Sequence, residues 1–112
     1  MNDALNALYA QLRAQARLHN AVAASVLENG SRLFVYPLAD GVLLGVGACA
    51  AGAPPLRAET LLRRRGGDLR RFGAWLPTLF NDGSWYLVRH CAESEADGLD
   101  AGAWRAAEEL LQ

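Results

Sequence analysis

The chain contains no lysine: all eleven of its basic residues are arginines. That absence excludes Schiff-base chemistry, a phosphate-loop lysine and every other catalytic scheme built on a lysine amine. Cysteine is nearly as scarce. Cys49 and Cys91 lie inside apolar runs with no Cys-x-x-Cys spacing, which reads as a pair of reduced, buried thiols. Two histidines and two cysteines spread along the chain match no zinc-binding pattern. No stretch reaches the roughly 18 uninterrupted apolar residues of a membrane span. The opening MNDALNALYAQLRAQ lacks the basic start and apolar block of a secretory signal, so a cytoplasmic location is expected. The net charge of −1 provides no long-range field to draw in nucleic acid.

What remains is an apolar, globular composition. Of 112 residues 52% are hydrophobic, too many for a disordered chain and enough for one modest core. A single domain spanning residues 1–112 is expected, without room for a deep substrate cleft.

Asp3 can cap a first helix. Leu5, Leu8, Leu12 and Ala16, with Tyr9 beside them, then recur at helical spacing until the helix fades at His19-Asn20. Three strands should follow, turning at Asn29-Gly30 and Asp40-Gly41, two pairs that tolerate positive φ. A two-residue loop at Asp40-Gly41 sets Val35 opposite Val46 and Leu33 opposite Ala48. On the other face it sets Phe34 over Gly47 and Tyr36 over Gly45, aromatic rings shielding bare backbone. A one-residue slip would exchange the two faces.

Pro55 near a first turn, Ala58, Leu61 and Leu62, and the stop at Gly66-Gly67 mark a second helix. The stretch LPTLFNDGSWYLVRH then reads as a hairpin. With Asp82-Gly83 as its loop, Thr78, Phe80, Trp85 and Leu87 share one face. Trp75, Pro77, Leu79, Tyr86 and Val88 share the other; an odd loop reshuffles the groups and leaves both faces apolar. Pro77 cannot donate to a ladder, which places its strand at an edge or a bulge. Asp100 caps a last helix, with Leu99 and Trp104 as a hydrophobic staple and Ala107 and Leu111 continuing the stripe. The expected class is α+β in the order α-β-β-β-α-β-β-α, an antiparallel sheet packed against helices.

No catalytic constellation emerges. His90 and Cys91 are neighbours on a strand and so point to opposite faces. Gly45-Val46-Gly47 lies within a strand and opens no helix, so it is no phosphate loop. Glu93, Glu95 and Asp97 read as a solvated loop. Residues 57–71 hold six arginines against Glu59 and Asp68, net +4, while residues 93–112 carry net −5. The arginines suit a solvated helix face or a charge-matched contact with the acidic C-terminal segment of another protomer. With Phe72 and Trp75 nearby, phosphate and base binding is the alternative.

Taken together, the leading amphipathic helix, the meander LFVYPLADGVLLGVGACA, the helix LRAETLLRRR, the hairpin AWLPTLFNDGSWYLVRH and the closing GLDAGAWRAAEELL resemble the class I chaperones of bacterial type III secretion, the Tir-chaperone-like group. From the residues themselves no cofactor, metal or catalysis is expected; the resemblance implies a dimeric cytoplasmic chaperone that uses no ATP. It would hold the N-terminal segment of a cognate secreted effector or export-apparatus protein soluble and ready for export. It implies client contacts at Leu8, Leu12, Phe34, Tyr36, Trp85 and Leu87. A dimer contact, with itself or with a second small chaperone, is implied at Leu61, Leu62, Phe72 and Trp75. A roadblock- or profilin-like adaptor is an alternative for the same order of elements. Three Trp, three Tyr and three Phe are hard to hide inside two thin layers, which favours a protein that binds another.

Overall fold

A computed structural model describes residues 2–27, 30–47, 58–80, 85–95 and 98–111. Helix α1 (Asn2–His19) leads into strands β1 (Ala23–Val26), β2 (Arg32–Leu38) and β3 (Gly41–Gly47). Helices α2 (Ala58–Gly67) and α3 (Leu69–Phe72), strands β4 (Leu76–Leu79) and β5 (Trp85–Ala92), a 3₁₀ turn at Glu93–Glu95 and α4 (Ala101–Leu110) follow. The five strands form one antiparallel sheet in the order β1-β2-β3-β5-β4, with β1 and β4 at its edges. The α+β class and the strand order along the chain match the sequence reading, and Pro77 does sit on an edge strand.

All the described helices pack on one face. Tyr9, Leu12 and Ala16 of α1 meet Leu33, Val35, Val42, Leu44, Val46, Leu87 and Cys91 of the sheet. Leu61, Phe72, Trp75 and the buried face of α4 complete the same core. An antiparallel sheet tolerates this one-sided cover because its alternate residues can face outward. Burial of each large aliphatic side chain contributes about 1.5–3 kcal/mol relative to leaving it exposed.

Four local expectations change. α1 already runs from Asn2, ahead of the cap position expected at Asp3. The β2–β3 connection is Ala39-Asp40, because Leu38 pairs with Gly41. That shift of two residues keeps the faces and changes the partners. Phe34 lies over Gly45, Tyr36 lies opposite Leu43, and Gly47 is covered by Tyr86 from β5. Gly41 is needed inside the ladder instead: its φ is +152°, and a Cβ there would run into the Cys91 carbonyl. The third change is at the second hairpin, where Leu79 pairs with Trp85 and Pro77 with Leu87. The five-residue connection makes the register differ by one, so the β4 side chains exchange faces relative to a two-residue loop. Finally, α3 was not anticipated. It is a single turn capped by Asp68, whose side chain accepts from the Arg71 amide. Asn29, Cys49, Pro55, Asp82, Gly83 and Asp97 lie outside the described residues, and so does the Asp82-Gly83 turn itself.

α4 begins where the sequence indicated. Asp100 is extended and accepts from the Ala103 amide at 2.8 Å. Asn6 of α1 then ties this helix start down. Its amide nitrogen donates to the Leu99 carbonyl, and its Oδ1 accepts from the Leu99 amide and from Trp104 Nε1.

Candidate functional site: an aromatic sheet face opposite the helices

The sheet face turned away from the helices carries Phe34, Tyr36, Leu43, Tyr86, Val88 and His90, as the strand registers require. Three rings cluster there. Phe80 packs on Tyr86 with centroids 4.5 Å apart, and Phe34 lies 5.4 Å from Tyr86 and 6.0 Å from Phe80. Tyr36 stands beside them, 50% exposed, and Phe80 is 37% exposed. The rings lie low because glycines sit beneath them: a Cβ at Gly47 would stand 2.5 Å from Tyr86 Cε1, and one at Gly45 would come within 1.9 Å of Phe34 Cε2. At the β1 end the face holds a hollow of about 180 Å³ bounded by Ala24, Val26, Phe34 and Tyr86. β1 itself is an edge strand of small residues, with Val26 and, just before the strand, Val22 exposed. A flat aromatic surface beside an open strand edge can take an extended polypeptide.

The structure separates the residues that the resemblance grouped as client contacts. Phe34 and Tyr36 share the uncovered face. Leu87 and Leu12 are committed to the core instead, and Leu8 and Trp85 pack against that core. The physical reason is register: Leu87 pairs with Val46 and Pro77 on the helix side of the sheet. Phe80 and Tyr86 belong with Phe34 in their place. Of the proposed dimer residues, Leu61, Phe72 and Trp75 are buried within the chain's own core, and Leu62 alone is exposed. Leu69, Leu76 and Leu79 join it, each more than half exposed, on α2, α3 and the β4 edge.

The arginine cluster is largely occupied inside the molecule. Arg64 donates to the Glu109 and Leu110 carbonyls and so closes the C-terminal end of α4. Arg65 donates to the Trp75 and Gly73 carbonyls, and Arg71 pairs with Glu109. Arg63 pairs with Glu59 one turn away on an exposed helix face. The acidic partner expected from another protomer is thus supplied, through Glu109, by the same chain. No such pattern is visible in sequence, because the bonded residues are up to 46 positions apart.

The glutamates after β5 also have work. Glu93 accepts from Arg13 and Arg17 of α1, and Arg17 in addition donates to the Leu38 and Gly41 carbonyls at the β2–β3 turn. Glu95 accepts from the Ala92 amide and faces Arg89 at 3.6 Å. The segment expected to be a solvated loop is therefore a clasp between α1 and the sheet. Arg89 stacks over Trp75 at 5.3 Å while its Nε is buried without a hydrogen-bond partner.

His90 and Cys91 do point apart. His90 lies 3.3 Å from Asp40 on the exposed side, and Cys91 is fully buried. Burial pushes the Cys91 thiol up, away from the reactive thiolate. Burial, then the neighbouring Cys91, raises the Tyr9 hydroxyl to about 12. A phenol held neutral by the fold stabilises it fully below its ordinary value near 10, and that contribution is lost as the pH climbs through about 12. Stability should accordingly fall between those two values, in a range free of lysine titration, and a Tyr9→Phe variant should show a flatter fall in alkaline urea melts.

Arg13 is 6% exposed, donating to the Tyr9 hydroxyl at 2.8 Å and to Glu93 at 2.9 Å. Arg13→Met should cost about 1.5–3 kcal/mol, measured by urea unfolding. The loss is held to that range because Glu93, 60% exposed, keeps its water.

Among the described residues no three metal-capable side chains come together, and no helix is long and apolar enough to cross a membrane. No family model matches the chain, and neither the curated proteins nor the solved structures contain a significant match to it.

Proposed function

We propose that the chain is a chaperone of type III secretion: a cytoplasmic binding protein, without catalysis or ATP, that holds the N-terminal segment of an exported protein in extended form. The observation that carries this reading is the ring cluster of Phe34, Phe80 and Tyr86 with Tyr36, on a sheet face that the described helices leave uncovered. The core on the opposite face is complete without it; Tyr86 is buried among its neighbours, and Tyr36 and Phe80 are the rings exposed to meet another polypeptide. A client strand laid along β1 gains backbone hydrogen bonds from the edge, and its alternate side chains reach the hollow beside Phe34. The exposed leucines Leu62, Leu69 and Leu79 support a second contact, between two protomers or with a second small chaperone. An interface of ordinary size, about 800 Å² per partner, would cover them.

The test uses peptides tiling the N-terminal segments of exported proteins encoded beside this gene, titrated calorimetrically. At least one peptide should bind. Tyr36→Glu and Phe80→Glu should each weaken it about tenfold or more, by burying a charge against the client; Tyr36→Glu should leave the melting temperature within a degree or two. Phe80→Glu, which also loses its packing on Tyr86, is compared at a temperature where it is fully folded. Absence of binding across the panel, or binding indifferent to both substitutions, overturns the reading. Light scattering should give twice the 12.1 kDa chain mass, or a complex with the second chaperone when the two are co-expressed. The double substitution Leu62→Glu, Leu69→Glu should return the chain to a monomer. A wild-type monomer that gains no partner on co-expression removes the proposed protomer contact and leaves the client face to be judged on the peptides.

A further inference from the structure

We draw no further inference here: the strongest candidate, the hollow between β1 and β2 beside Phe34 and Tyr86, belongs to the sheet face already described, and nothing in the structure shows what else would fill it.

Discussion

Replacing Trp104 with alanine should remove about 3–5 kcal/mol of stability, and for a domain of this size lower the melting temperature by roughly 10 °C or more. Trp104 is the element that joins the two ends of the core. Its ring meets Tyr9 edge-on at 6.4 Å and Trp75 at 6.4 Å, and it is 2% exposed. Its Nε1 donates to Asn6 Oδ1, the atom that also accepts from the Leu99 amide. Truncation therefore opens a large cavity between α1, α3 and α4 and strips one donor from a part-buried amide. Trp104→Phe separates the two effects: most of the ring volume stays, the donor goes, and the cost should fall to about 1–2 kcal/mol. Urea unfolding of the three proteins measures both steps. Equal losses in the two variants would show that the hydrogen bond, rather than the packing, holds α4 in place.

Gly45→Val should destabilise by about 1–3 kcal/mol, although valine is the better strand former and glycine weakens most strands. The sign reverses because the space for a Cβ at Gly45 is filled by the Phe34 ring. A valine there must displace the ring from Gly45, and with it the packing against Tyr86 and Phe80. Removing the ring first removes the conflict. In the Phe34→Ala background the same substitution should be neutral or stabilising, a coupling of roughly 1 kcal/mol or more between two contacting positions. Additive losses in the double mutant would mean that the ring does not lie over the glycine. The variant bears on binding as well, since a displaced Phe34 changes the surface offered to a client. Gly45→Val should alter peptide affinity even at a temperature where it is fully folded.

Much of the architecture is readable from local chemistry. The α1 stripe, the Asp100 cap and the division of β2 and β3 into an aliphatic and an aromatic face all follow from periods and turn residues, and the structure retains them. What was not legible depends on distance along the chain. The role of Gly41 is set by the close approach of the Cys91 carbonyl on β5, which no inspection of the β2–β3 turn reveals. The facing of β4 turns on whether its connection to β5 has an even or an odd number of residues, and side chains alternate with a period of two. The same parity left Phe80 with the outer rings, while pairing with Val46 of β3 sent Leu87 to the core. The arginine run looks in sequence like a surface charge, yet Arg64 and Arg65 are spent on carbonyls of α4 and the segment before β4. A guanidinium on a long stem reaches partners that spacing cannot name.

The Asn6 tie has a consequence for how the chain is made. Its partners Leu99 and Trp104 lie 93 and 98 positions downstream, so α1 leaves the ribosome long before its last neighbours exist. Contacts of that span are slow to close. Until they close, the oily stripe of the newborn helix is exposed to whatever else the cell contains. Chains cut off ahead of Leu99 should therefore clump or be degraded, and the domain should gain its rigidity late, in one step, as α4 settles.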